Sequence, residues 1–196
     1  MTIPDSKSEI YKSLRPITGL LLKGSVISID PSIGSTSSQP AFAYYRQGEL
    51  IEVGKADIDP SLDTYIRLQD LAEWVKQLYK SYRPDILVYE EIPDQRYMPM
   101  FGGRPQATGH NVKAHASLLK AVGAILSVRG PDHFLGMRPQ VWKARVDESY
   151  IKGDIEDAKW IGLVAINIAK EMEADDGGFN TGTRSRSRTT RKNTSR

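Results

Sequence analysis

The chain has 196 residues, 27 basic and 24 acidic side chains, a formal net charge of +3, three histidines and no cysteine. That length supports one domain with a sizeable core, and the missing cysteines exclude disulfides and thiolate metal sites. A metal site would therefore be built mainly from carboxylates, which favours hard ions such as Mg²⁺ or Mn²⁺; with no bilayer-spanning apolar run and no signal-peptide pattern, a cytoplasmic protein without a membrane partner is expected.

The net charge hides an asymmetry. Residues 181–196 carry Arg184, Arg186, Arg188, Arg191, Lys192 and Arg196 and no acid, so the remainder holds 27 − 6 = 21 basic against 24 acidic side chains. A Ser/Thr-rich segment of that kind cannot bury apolar surface, and residues 175–196 are expected to form a disordered basic tail. It is either a plain solvated tail or a salt-sensitive tether for a polyanion.

Residues 1–24 are polar and weakly patterned and are expected as an arm, with a helical turn or two around 10–14. Ser25-Val26-Ile27-Ser28-Ile29-Asp30 then reads as a buried strand rich in β-branched residues, stopped by Pro31 and turned at Gly34. It delivers one aspartate at its C-terminal tip. Asp30 is there either to cap a turn or to bind a metal, and the second role needs other carboxylates to converge on it.

Residues 41–46 and 50–56 flank Gln47-Gly48-Glu49 and read as a hairpin. The apolar residues Leu68, Leu71, Ala72, Val75, Leu78, Tyr79 and Tyr82 have the helical period over 65–82. Arg83-Pro84-Asp85 stops that helix, and Ile86-Leu87-Val88-Tyr89 forms a strand ending in Glu90-Glu91, of which only one can face a given side. A Gly/Pro-rich loop over 94–109 carries Arg96, Tyr97, Phe101 and Arg104. A helix over 111–128, a strand over 133–137 and a helical turn opening at Arg138-Pro139 follow.

The last expected helix runs from 154 to 172, with Ile161, Val164, Ala165, Ile168, Ala169 and Met172 as its core stripe. Asp157 and Asp154 lie four and seven residues before Ile161, on the line of that stripe. Acids in a first helical turn also complement the helix dipole, which accounts for Asp154 better than for Asp157. The domain is expected over 25–174, as an α/β fold with a mixed five-stranded sheet flanked by helices. Asp30 and Glu90 then stand at strand C-termini, where open α/β sheets place their ligands. Two metals held among four such acids suit in-line displacement at phosphorus.

With the order of these motifs in view, the sequence resembles RuvC-type Holliday junction resolvases of the ribonuclease H-like superfamily, including phage forms. Ile29-Asp30-Pro31-Ser32 is similar to the family's first strand end, residues 67–90 to its first helix and Glu-bearing strand, and Asp154-Ile155-Glu156-Asp157-Ala158 to its Asp-x-x-Asp-Ala helix start. Residues 138–143 resemble the segment supplying a basic active-site residue, here Lys143. The resemblance implies a Mg²⁺-dependent homodimer (Mn²⁺ as a substitute, two ions) that nicks opposed strands of branched DNA at a four-way junction. It assigns the metals to Asp30, Glu90, Asp154 and Asp157. It also puts junction contacts on the 94–109 loop, with Tyr97 or Phe101 stacking on a base and Arg96 and Arg104 on phosphates.

The chain departs from the family in a shortened segment over 147–153, where only Lys152 is offered as a second basic residue. An alternative alignment takes Asp175-Asp176 as the helix acids, but no apolar helix is expected after them. Rival readings are a related nuclease acting on flaps, forks or RNA–DNA hybrids, a nucleotide-binding kinase or ATPase, and a non-catalytic DNA-binding protein that uses only its tail.

Overall fold

The computed structural model describes residues 6–33, 39–92, 100–101, 104–105 and 109–179. Helices α1 (Ser6–Leu14) and α2 (Thr18–Lys23), joined by a 3-10 turn, precede strand β1 (Ser25–Asp30). Then come β2 (Ala41–Arg46), β3 (Glu49–Lys55), α3 (Thr64–Tyr82) and β4 (Ile86–Glu90). A small ribbon of β5 (Met100–Phe101) and β6 (Arg104–Pro105) leads to α4 (Gly109–Ser127), β7 (His133–Met137), α5 (Pro139–Lys143) and α6 (Asp154–Phe179).

The main sheet has the order β3-β2-β1-β4-β7, with β1 central. β1 runs antiparallel to β2 and parallel to β4, and β4 runs parallel to β7. This is the mixed five-stranded sheet flanked by helices that the sequence leads one to expect. The hairpin closes through Gln47 at φ 54° and Gly48 at φ 75°, a two-residue turn whose positive φ values match the twist of the strands. α3 starts at Asp63, whose side chain accepts from the Tyr65 N–H, and stops at Arg83 in the left-handed conformation, just before Pro84.

Strand alternation divides the core into two layers. Ile27, Ile29, Leu87, Phe42 and Tyr44 face Leu71, Val75 and Leu78 of α3 and Ala121 and Ile125 of α4. Val26, Ile86, Val88, Ala43 and Tyr45 face α6 through Ile161, Val164, Ala165 and Ile168. Ser28 and Asp30 fall on the α6 side by the same alternation, as does Glu90 on β4. The parallel register pairs Ile29 with Tyr89, so Asp30 and Glu90 stand level at one end of the sheet.

Two expectations need correcting. The described part of the segment expected as an arm, from residue 6 on, packs against the body: Leu14, Ile17 and Leu21 are buried in the α6 layer. α6 also continues past 172 and 174 to Phe179, so its last turns cross the boundary drawn for the tail. One cause explains both. α6 is covered by the sheet on one side and by α1 and α2 on another, which is why Trp160 and Ile166, off the expected stripe, are buried too. Ion pairs from Arg145 to Glu171 (2.9 Å) and from Arg15 to Asp176 (3.5 Å) attach its outer turns. Among the described residues no helix is long and apolar enough to cross a membrane.

The burial of the leading segment sets an expected cost. Leu21→Ala should destabilise the protein by about 2–5 kcal/mol, as a fully buried leucine does, measured by urea unfolding. A change under about 0.5 kcal/mol, the surface value, would return the segment to the status of an arm.

Candidate active site

β1 ends in Asp30, which is only 2% exposed. Ser32, two residues on, donates its backbone N–H to Asp30 Oδ1 at 3.2 Å, and its hydroxyl sits 2.9 and 3.0 Å from the two carboxylate oxygens. Burial pushes the Asp30 carboxyl up to about 8, reinforced by the nearby charge of Glu90; Ser32 opposes the rise, while Asp157 and Asp154 add to it. The Glu90 carboxyl is raised as well, first by burial, against the pull of Lys143, and further by Asp157. Three elements, β1, β4 and the start of α6, therefore bring four acids into one field.

Each acid has its own local hold. Asp154 accepts from the Gln39 N–H and from Lys55 Nζ, both at 3.1 Å. Asp157 accepts from the Tyr150 hydroxyl at 2.5 Å, and its own N–H bonds the Gly153 carbonyl. Lys143, at the end of α5, places Nζ 4.8 Å from the centroid of the buried Trp142 ring and favours ionised Glu90. The buried Trp142 indole N–H faces Glu90 and also favours its ionised form.

Glu91 belongs elsewhere. It points away from α6, and its carboxylate pairs with Arg138 Nε at 3.2 Å. Asp176 pairs with Arg15 and lies about 28 Å farther along α6 than Asp157 at 1.5 Å per residue, which removes Asp175-Asp176 from this centre. Lys152 is exposed. Phe101 and Arg104 face each other in backbone register on the β5–β6 ribbon, and their side chains lie outside what the structure describes. Arg96 and Tyr97, and the tail residues Arg184, Arg186, Arg188, Arg191 and Lys192, lie outside the described residues.

The sequence reading missed what seats α6. Ser28 Oγ donates to the Ala158 carbonyl at 2.6 Å, and the Tyr45 hydroxyl donates to the Lys159 carbonyl at 2.5 Å. Both bonds cross from the sheet to the second turn of α6, and they need the helix close. Gly162 allows it: a Cβ there would meet Tyr45 Cε2 at 2.5 Å and Ser28 Oγ at 2.6 Å. A glycine inside an apolar helical pattern was the available signal.

The donor set is oxygen only and rich in charge, which suits a hard divalent cation. The burial of Asp30 supports that fit, since a cation would relieve the cost of ionising it. As the side chains stand, no three acidic or imidazole groups among the described residues are gathered closely enough to hold an ion.

No protein-family model matches this sequence, and no curated protein does. Solved structures are similar to it. RuvC of T. thermophilus in complex with Holliday junction substrate matches at 16% identity and a TM-score of 0.46, over 75% of this chain and 95% of that one. Thermus thermophilus RuvC alone matches at 14% identity and 0.44, over 76% and 96%. The yeast mitochondrial Holliday junction resolvase matches at 10% identity and 0.49, over 88% and 96%.

Two outcomes follow from this geometry. Between the ordinary 3.8 and about 8, the folded chain keeps the Asp30 proton that the unfolded chain releases, so stability falls as pH rises through that window and levels off above it. In EDTA, the melting temperature should fall between about pH 5 and about pH 8, and Asp30→Asn should flatten the fall; an equally steep slope in the variant would place the titration elsewhere. Gly162→Ala should destabilise the protein by about 1–3 kcal/mol by overpacking, outweighing the roughly 1 kcal/mol that alanine gains as a helix former. A stabilised variant in the same unfolding assay would mean that the seat is loose.

Proposed function

We propose that this chain is a divalent-metal-dependent, structure-selective endodeoxyribonuclease that resolves four-way DNA junctions in recombination or replication by paired nicks, acting as a homodimer. The observation that carries the reading is Asp30, buried at the tip of β1 and level with Glu90 at the end of β4, with Asp154 and Asp157 at the start of α6 contributing to the same field of charge. Crowding of this kind destabilises the metal-free chain and is balanced when cations are bound. The ordered motifs described in the sequence support the same reading.

In this proposal Asp30, Glu90, Asp154 and Asp157 hold Mg²⁺, or Mn²⁺ in its place. Two such ions, when bound, would supply an activated water and stabilise the departing oxygen of a phosphodiester. The chain's own residues do the rest. Ser32 orients Asp30, and the buried β1 tip keeps bulk water from that carboxylate. Lys143 opposes the rise in proton affinity at Glu90 and offers a positive charge beside the scissile phosphate. Arg96, Tyr97, Phe101 and Arg104 contact the branched DNA, and the basic tail holds polyanion with a steep salt dependence.

The test is cleavage of labelled four-way junction, flap, linear duplex and RNA–DNA hybrid, with Mg²⁺ and with EDTA. Paired junction nicks that need Mg²⁺ are expected. Asp30→Asn and Asp157→Asn should reduce them by more than the roughly 10–100-fold typical of outer partners of a metal site, with junction binding retained. Preference for flap or hybrid would keep the centre and change the substrate. Undiminished cleavage by Asp30→Asn would reject the centre.

A further inference from the structure

The short connection between α5 and α6 places Tyr150 against the acidic centre, a residue for which the sequence reading had no use. Its ring meets the buried Trp142 edge-on, with centroids 6.2 Å apart and planes at 73°. Its hydroxyl reaches Asp157 Oδ1 at 2.5 Å. Trp142 is wholly buried and sits at the end of the element that carries Lys143, so the ring that braces Tyr150 is fixed by the core. We propose that Tyr150 is a positioning residue for the metal centre, its hydroxyl fixing the Asp157 carboxylate in the orientation that takes up the ion.

A carboxylate has two oxygens and about four acceptor sites, so one donated hydrogen bond leaves acceptor capacity while locking the rotation of the group. The donor is dependable. A phenol hydroxyl, with an ordinary pKa of about 10, carries its hydrogen near neutral pH and so donates to the carboxylate. The bond also spans from residue 150 to residue 157, tying the connection to the first turn of α6. Asp30 has Ser32 in the same capacity, whereas Asp154 is held by a lysine. Asp157, in the first turn of α6, is held by the neutral Tyr150 hydroxyl.

This inference rests on the metal-centre reading, and the experiment separates the two. Mn²⁺ binding to the full chain is measured by electron paramagnetic resonance of the free ion, for wild type, Tyr150→Phe, Asp157→Ala and the double variant, with Asp30→Asn beside them. Tyr150→Phe keeps the ring and its packing on Trp142, and circular dichroism checks that the fold is retained. The expected result is about a tenfold loss of Mn²⁺ affinity in Tyr150→Phe, with no further loss when the same change is made in Asp157→Ala. The Mg²⁺ midpoint of cleavage should move by the same factor. Wild-type affinity in Tyr150→Phe would overturn the assignment, as would an equal loss in both backgrounds, which would mean an effect on the fold and not through Asp157. Failure of wild type to bind Mn²⁺ more tightly than Asp30→Asn would overturn the centre itself and this role with it.

Discussion

The acidic centre depends on a helix pressed onto a sheet at one glycine. Ser28 and Tyr45 donate to the Ala158 and Lys159 carbonyls, and they reach only because Gly162 brings no side chain between them. Those carbonyls lie about one turn beyond Asp154 and one and two residues beyond Asp157, so the same contact that closes the core fixes how far the helix acids stand from Asp30. Buried hydroxyls satisfied by carbonyls leave no polar cost at the seam. The seat and the centre are therefore one structure, built from β1, β2 and the first two turns of α6.

Around that seat, charge is arranged unequally. Asp30 is buried and Glu90 half-buried, both driven toward their neutral forms, while Asp154 faces Lys55 near solvent and Asp157 takes a neutral donor. Lys143 counters part of the repulsion at Glu90 without entering an ion pair with it. A centre with this gradient resists full ionisation on its own.

Much of this was readable beforehand. The β-branched run ending at Asp30, the helical period over α3 and the spacing of Asp154 and Asp157 before Ile161 each reflect local rules, and the structure follows them. Strand alternation also decides between Glu90 and Glu91, once β4 is known to lie beside β1. What stayed hidden depends on contacts between distant segments. Leu14, Ile17 and Leu21 look like scattered apolar residues in a polar stretch until α6 supplies their partner. Tyr150 lies in a segment without periodicity, and Ser28 reads as a weak strand residue until a carbonyl 130 positions later accepts its hydrogen.

The sandwiching of α6 between the sheet and α1–α2 has a consequence for the order of synthesis. Among the described elements α6 is the last in chain order, and both layers that grip it are made before it. Until then, β1 presents Asp30 and β4 presents Glu90 on an uncovered apolar face, with two of the four acids missing. A nascent chain thus carries an open, sticky sheet but no assembled acidic centre. Closure of the core and assembly of the centre become a single late event, timed by translation.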